Sequence, residues 1–146
     1  MAYKNLVITP PKNNTQNTTK QSQFYRGFST VDNTKRSVSL YDNELIKQDL
    51  INQFSTKKGE RLMNPEFGTI IWNLIFDPLT DVLKQDIVDD IDRILANDPR
   101  ISPIQVRVIE KDYGLLIEAT VTYAYSNQVD NLRINFDKEL GLSTIQ

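Results

Sequence analysis

The sequence of 146 residues contains no cysteine and no histidine. Without cysteine there is no disulfide framework, no thiolate metal site and no cysteine nucleophile. Without histidine, the Ser-His-Asp and Cys-His catalytic arrangements and the usual zinc sites are excluded as well. An enzyme built on this chain would have to use carboxylates, lysine, tyrosine, serine or threonine.

Long hydrophobic runs are also lacking. The most apolar short stretch, residues 69–76, is far shorter than the roughly 20 residues that a membrane helix needs. The N-terminus lacks the basic-then-apolar pattern of a signal peptide. We therefore expect no membrane partner, and the absence of cysteine fits synthesis in a cytosol.

Charge is unevenly distributed along the chain, although the net charge is only −2. Residues 1–40 hold six basic side chains and one acidic one, a net charge of +5. Residues 41–146 hold 11 basic and 18 acidic side chains, a net charge of −7. The acidic part argues against nucleic-acid recognition. Because the basic charges of the first part are scattered, nucleic-acid binding there is the weaker alternative.

The first 40 residues differ from the rest in composition. Asn, Thr, Gln and Ser fill 18 of these 40 positions, which leaves too little apolar surface for a core. We predict an extended polar, basic arm over residues 1–40 and one domain over residues 41–146. An aromatic island in the arm, formed by Phe24, Tyr25 and Phe28, is predicted to dock, either on the same chain or on a partner.

Apolar residues at helical spacing predict helices over about residues 43–54 and 81–96, with a short apolar helix over 69–76 between them. Asp42 or Asn43 is expected to accept hydrogen bonds from the first turn of the first helix. Thr80 can cap the second long helix in the same way.

The helix over residues 81–96 places aspartates opposite its apolar stripe, among them Asp89 and Asp90. Along a helix these side chains point in different directions, and their spacing lacks the loop of a calcium site. We predict a solvated or partner-facing acidic surface, with no metal and no cofactor. An i, i+4 ion pair between Asp89 and Arg93 is expected.

The last third of the chain alternates apolar and polar residues, which is the period of β-strands. Three such runs, near residues 104–108, 115–125 and 132–136, are separated by polar turns. Helices first and strands later predict an α+β fold, in which the N-terminal helices pack on one face of a three-stranded antiparallel β-sheet.

A three-stranded sheet leaves its last strand at an edge, where unpaired backbone groups can accept a strand from another chain. The residues of that strand are Leu132, Arg133, Ile134, Asn135 and Phe136. Charged side chains at Arg133, Asp137 and Lys138 can equally guard the edge against pairing. The residues alone leave both alternatives open.

One pair of carboxylates lies in a loop rich in glycine and proline. Glu60 and Glu66 are of the type that glycosidases use, but nothing in the sequence fixes their separation. The favoured interpretation of Glu66 is structural, as a cap of the next helix or a partner of Arg61. Peptidoglycan hydrolysis by Glu60 or Glu66 is the alternative function.

The turn Asp98-Pro99-Arg100 follows the second long helix. The proline biases Asp98 away from helix, so the chain turns and holds Arg100 at the mouth of the sheet. The guanidinium offers five donors in a rigid fork. It can tie down Asp98 or the helix end of its own chain, which the residues alone favour, or it can point into a partner.

The order of these motifs resembles that of a known family. A string containing Arg61, Pro65, Phe67 and Gly68 comes first, followed by the short apolar helix, the acidic helix and the Asp98-Pro99-Arg100 turn. Together they resemble the baseplate wedge proteins of contractile-tailed phages, which have relatives in type VI secretion baseplates and have also been labelled lysozyme-like. The similarity covers about residues 43–136 and is closest to the sheath initiators of large T-even-like phages.

The resemblance implies a structural protein of the virion, located in the tail baseplate, made in the host cytoplasm and without enzymatic activity. In the family the turn is usually Glu-Pro-Arg and contacts the helical core bundle of the large wedge proteins. Asp98, Pro99 and Arg100 are therefore expected to bind that bundle, with the carboxylate shortened by one methylene.

The resemblance also bears on the sheet edge and on the arm. The family's C-terminal strands exchange strands with the tail sheath protein, which favours strand addition at residues 132–136 and nucleation of the sheath. For the arm, outside the matched region, the tail tube or the baseplate hub is a further expected contact.

Overall fold

The computed structural model describes residues 23–29 and 39–145, which form an α+β fold. The elements of this described part are, in order, β1 (Arg26–Phe28), β2 (Ser39–Tyr41), α1 (Asp42–Ser55), α2 (Ile71–Leu74), α3 (Asp81–Ala96), β3 (Ile101–Lys111), β4 (Gly114–Tyr123), β5 (Val129–Asp137) and β6 (Gly141–Ile145). Most of the predicted arm lies outside the described residues, so its extended form stays a prediction. None of the helices in the described part is long and apolar enough to cross a membrane.

The two long helices form where the apolar periodicity predicts them. Their buried stripes consist of Ile46, Leu50 and Phe54 on α1 and of Ile87, Ile91, Ile94 and Leu95 on α3. The predicted cap of α3 is confirmed, because the Thr80 hydroxyl accepts a hydrogen bond from the Leu83 amide at 3.3 Å.

The start of α1 differs from its prediction. Its N-cap residue, Tyr41, makes no side-chain hydrogen bond to the first turn. Asp42 lies at the left-handed φ of 44°, and its carboxylate accepts hydrogen bonds from the backbone amides of Phe24 and Tyr25 at 2.9 and 2.8 Å. The expected capping residue therefore holds the preceding part of the chain instead of its own helix.

The main sheet has four antiparallel strands in the order β3-β4-β5-β6, so the predicted number of three is wrong. The fourth strand follows a tight turn, in which the Asp137 carboxylate accepts from the amides of Glu139 and Leu140 at 2.8 and 3.0 Å. Gly141 then adopts φ +81°, a conformation that suits glycine. The alternation of apolar and polar residues in β6 covers only five residues after a charged turn, which is too short to predict a strand.

The fourth strand also corrects the predicted edge. β5, which contains residues 132–136, is hydrogen-bonded to β4 on one side and to β6 on the other. The expectation that residues 132–136 form the edge of the sheet is therefore wrong. The two edges are β3 and β6.

The core lies between the helices and one face of the sheet. Phe136 of β5 is fully buried and meets two rings edge-on, that of Phe54 at 6.2 Å and that of Trp72 at 5.2 Å between centroids. The Trp72 indole also donates to the backbone carbonyl of Phe54 at 2.7 Å. These contacts join α1, the region of α2 and the sheet. β1 and β2 form a separate antiparallel pair.

Candidate functional site

The Asp98-Pro99-Arg100 turn is held rigidly between α3 and β3. The Arg100 amide donates to the Asp98 carboxylate at 3.0 Å, which closes a local turn. The Arg100 carbonyl accepts from the amide of Ala124 at 2.8 Å, so the turn is also fixed to the far end of β4. Pro99 is exposed at its apex.

The Arg100 guanidinium is committed to its own chain. It donates to both Asp98 oxygens, with Nε at 2.8 Å from Oδ1 and Nη2 at 2.6 Å from Oδ2. Its Nη1 lies 2.9 Å from Oδ2 of Asp49 on α1. The structure thus pairs Asp98 with Arg100 and adds Asp49 as a second carboxylate partner, which the sequence did not indicate. Recognition of a partner protein by this turn stays a prediction.

The electrostatics of the turn follow from these contacts. Burial by itself would raise the pKa of Asp98, but the hydrogen bonds and charge of Arg100 outweigh burial and hold this pKa below its ordinary value of 3.8. The hydrogen bonding that Arg100 donates to the Asp98 carboxylate is the largest cause that raises the pKa of Arg100. Both groups are ionised at neutral pH.

Replacing Asp98 by asparagine should lower the free energy of unfolding by about 1.5–3 kcal/mol at neutral pH, because the charge-assisted bonds to Arg100 are lost. A carboxyl whose folded pKa is depressed contributes stability above its unfolded pKa and loses it as the pH falls through the folded pKa. The variant should therefore lose less stability than the wild type as the pH is lowered from about 5 to about 2.

Urea unfolding at several pH values measures this difference. Asp130 and Asp137, whose pKa values are also lowered, titrate in both proteins and cancel in the comparison. Parallel stability curves for the two proteins would show that Asp98 does not couple to folding.

The aromatic island lies next to this turn. Phe24 and Tyr25 pack on Tyr125, with ring centroids 5.5 and 5.9 Å apart, and the Tyr25 ring lies 5.9 Å from the Arg100 guanidinium carbon. The Tyr125 hydroxyl donates to Asn43. Of the two alternatives for the island, these contacts match docking on the same chain. Phe28 is different, because it is 70% exposed on β1.

The loop between α1 and α2 carries the predicted motif residues. The Arg61 guanidinium lies over the Phe67 ring at 3.8 Å, and the Pro65 carbonyl accepts from the Gly59 amide at 2.9 Å. Gly68 has φ +109°, and an added Cβ would lie 2.6 Å from the Thr56 carbonyl oxygen. A side chain at Gly68 is therefore excluded by both conformation and space.

A buried acid anchors this loop to α3. Asp90 accepts from the Thr69 hydroxyl at 2.8 Å and from the Ile70 amide at 3.0 Å. Arg93 donates to Asp90 at 2.7 Å and to the Gly68 carbonyl at 3.1 Å. α2 spans only Ile71–Leu74, so the predicted helix over 69–76 is shorter in the structure.

The acidic face of α3 differs from the prediction in two respects. Asp90 is buried, not exposed, and it replaces Asp89 as the partner of Arg93. The sequence contains a signal for this arrangement, because Asp90 follows Ile87 by three positions and precedes Ile94 by four, which places it on the apolar stripe. Asp89 is exposed and accepts from Gln85 at 2.8 Å.

The two candidate catalytic carboxylates are bound within the loop. Glu60 accepts from the Lys57 amide at 3.1 Å, and Glu66 lies 3.0 Å from the Lys58 ammonium group. Glu66 therefore pairs with Lys58 and not with Arg61. Among the described residues, no group of three or more acidic side chains is arranged to hold a metal ion.

The residues predicted for strand addition point to two faces of β5. Leu132, Ile134 and Phe136 are buried in the core. Arg133 forms an ion pair with Glu118 at 3.1 Å, and the side-chain amide of Asn135 donates to the hydroxyl of Ser143 in β6 at 3.4 Å. These residues support β6 and do not themselves present an edge.

Comparisons with known proteins address the family. Residues 41–129 match the family described as Baseplate wedge protein gp25. The chain is 33% identical over 76 residues to baseplate wedge protein gp25 of Enterobacteria phage T4; the match covers 50% of this chain and 58% of that protein. The chain thus spans about three fifths of the length of this relative.

Two solved structures share the fold. One is part of the anti-feeding prophage baseplate, with 25% identity, a TM-score of 0.57 and coverage of 68% of this chain and 86% of that one. The other is a protein of Geobacter sulfurreducens named as a tail lysozyme, with 24% identity, a TM-score of 0.53 and coverage of 63% and 90%. At 24% identity the second likeness concerns the fold alone.

Proposed function

Because this chain belongs to the baseplate wedge protein gp25 family, we propose that it is a structural subunit of a contractile-tail baseplate, located in the virion, which joins the wedge to the tail sheath. It acts by binding its neighbours through two surfaces. One is the Asp98-Pro99-Arg100 turn, and the other is the β6 edge of the sheet. The large wedge proteins are the proposed partners of the first surface and the sheath protein is the partner of the second.

The wedge-facing surface rests on the rigidity of the turn. Asp98 and Asp49 fix the Arg100 guanidinium, whose side chain is only 23% exposed, so the apex at Pro99 is presented in one conformation. A preformed surface loses little conformational entropy on binding. Arg100 therefore contributes by shaping the turn that a helical bundle contacts.

One observation supports the proposed sheath-facing surface: the two edges of the sheet differ in composition. β3 contains Pro103, a register shift between Pro103 and Gln105, and charged side chains at Arg107, Glu110 and Lys111. Such features protect an edge strand from pairing. β6 contains five uncharged residues, Gly141 to Ile145, and no proline. We place strand addition at β6 and not at the internal strand β5.

Two proline substitutions in β6 test this mechanism. Successive residues of a strand direct their amides to opposite sides. Of Ser143→Pro and Thr144→Pro, one therefore removes an amide that faces away from β5 (the outward variant), and the other removes an amide that faces β5 (the inward variant). The outward variant should bind the sheath protein encoded with this chain about tenfold more weakly while its melting temperature is unchanged. The inward variant breaks the β5–β6 ladder and should be destabilised.

Binding is measured by titrating each purified variant against the sheath protein, with melting curves as the control for folding. Equal binding by the wild type and both variants would remove strand addition at β6. Absence of the wild-type chain from purified baseplates would remove the proposed function as a whole.

A catalytic role is not part of this proposal. Glu60 and Glu66 are exposed, and each is used by a neighbouring group of its own loop. A glycosidase acid needs an environment that keeps it protonated, such as an apolar pocket. The surroundings of these two carboxylates do not favour peptidoglycan hydrolysis.

The N-terminal arm supplies a third contact in this proposal. Asp42 fixes the arm to the body at Phe24 and Tyr25, while the exposed ring of Phe28 faces away from the core. For the polar and basic segment before residue 23, we propose the tail tube or the baseplate hub as a separate partner.

A further inference from the structure

The loop over residues 57–69 is a fixed platform. Its ends are joined, because the Lys58 amide donates to the Thr69 carbonyl and the Thr69 amide to the Thr56 carbonyl, both at 3.0 Å. Inside the loop, the Asn64 amide donates to the Arg61 carbonyl at 3.2 Å. A loop with this internal bonding fixes the path of its backbone and so the place at which each side chain leaves its tip.

Two apolar side chains stand at this tip. Leu62 is 94% exposed and Met63 is 99% exposed, the highest values among the large hydrophobic residues of the described part of the chain. They are adjacent to each other and remain outside the core. When a partner covers neighbouring apolar side chains on a loop, the free energy of the complex is lowered because apolar surface is removed from water.

Arg61 directly precedes these two residues in the loop. Arg61 stacks on Phe67, and its side chain forms no ion pair with any described residue, whereas Arg93, Arg100 and Arg133 each pair with a carboxylate. Arg61 lines a cleft of about 350 Å³ together with Asp49, Asp98 and Arg100. Arg100 is already paired with both aspartates of this cleft. Of the two guanidinium groups that line the cleft, Arg61 is therefore the one that an incoming anion can pair with.

We infer that Arg61, Leu62 and Met63 form a binding surface for a segment of a neighbouring baseplate protein that presents one carboxylate beside aliphatic side chains. The carboxylate pairs with Arg61 in the bidentate manner that guanidinium favours. The aliphatic side chains cover Leu62 and Met63. The inference rests on the proposed function, since the cleft is bordered by the turn that is proposed to face the wedge.

A photo-activated cross-linker at position 62 identifies the occupant in assembled baseplates. The full-length chain carries p-benzoylphenylalanine in place of Leu62, and the cross-linked peptide is sequenced. A peptide of another baseplate protein with Asp or Glu next to aliphatic residues supports the inference. Leu140 is a matched control, because it is also a highly exposed leucine in a turn and should not yield that peptide. A cross-link to residues 1–22 of the same chain, or to a second copy, would overturn it.

Charge reversal tests the ion pair itself. Arg61→Glu should reduce incorporation into baseplates about tenfold or more, since like charges then face each other. Replacing the acid found in the cross-linked peptide by lysine should restore it. The double variant Leu62→Ser with Met63→Ser should also reduce incorporation without a change in melting temperature, because both side chains lie in solvent. Normal incorporation of these variants overturns the inference and leaves the proposed function standing.

Discussion

Replacing Asp90 by alanine should lower the free energy of unfolding by about 3–5 kcal/mol. The substitution leaves the Thr69 hydroxyl and the Ile70 amide without their acceptor in a buried site, and it removes the carboxylate that pairs with Arg93. Each unpaired buried donor costs about 1–3 kcal/mol, and the half-buried guanidinium loses its counter-charge. Asp90 thereby joins α3 to the two residues that precede α2.

Chemical denaturation measures the loss, and Asp89→Ala on the same helix is the matched control. Asp89 is exposed and bonds only to Gln85, so its removal should change stability by no more than about 0.5 kcal/mol. Amide exchange adds a local readout, because the Ile70 amide and its neighbours should exchange faster in the Asp90 variant. Equal stability of the two variants would mean that the network around Asp90 is not buried in solution.

Phe136→Ala should also cost about 3–5 kcal/mol, the range for removal of a buried aromatic side chain. The ring is fully buried and contacts Phe54 and Trp72, so its loss opens a cavity between the helices and the sheet. The surrounding residues belong to three different elements and cannot collapse into the space together.

Arg133→Ala on the same strand separates this core role from a surface role. Arg133 is more than half exposed and pairs with Glu118 on the outer face of the sheet, so its loss should cost about 0–1 kcal/mol. Thermal or urea unfolding of both variants gives the comparison. A mild effect of Phe136→Ala would be inconsistent with burial of this ring between the helices and the sheet.

Local patterns predict the two long helices and the first three strands of the main sheet well. Ile87, Ile91 and Ile94 recur at helical spacing, and the structure buries all three. Thr80 is a residue that commonly caps helices, and it does so. In these cases the signal lies within a few positions of the residue that it concerns.

Contacts between distant parts of the chain could not be predicted. Nothing near Asp49 indicates that it binds Arg100, because the two meet only when α1 packs beside the turn. Asp42 has the composition of a helix cap, and its use as a clamp for Phe24 and Tyr25 depends on a left-handed backbone conformation that the sequence does not specify. Asp90 lies between these two cases, because its position on the apolar stripe indicates burial, whereas its partners Thr69 and Ile70 cannot be predicted.

The candidate site shows the same division. The turn at Asp98, Pro99 and Arg100 and the loop at Arg61 can be located from their motifs. Whether each guanidinium is paired within the chain cannot be predicted from them. Arg100, the more conspicuous residue, is paired inside the chain, and Arg61 is paired with none of the described carboxylates. The position of the sheet edge was missed for a similar reason, because pairing of β6 with β5 depends on a turn fixed by Asp137 and Gly141.

In the proposed strand addition, the two unequal edges of the four-stranded sheet limit how many strands this chain can recruit. A subunit that pairs through β6 alone has a valence of one, because β3 is blocked by its proline and its register shift. Such a subunit can begin a series of paired strands and cannot be a repeating member of it, since every interior member needs two receptive borders. Under the proposed mechanism, the sheet gives this chain the geometry of a terminus from which growth proceeds in one direction.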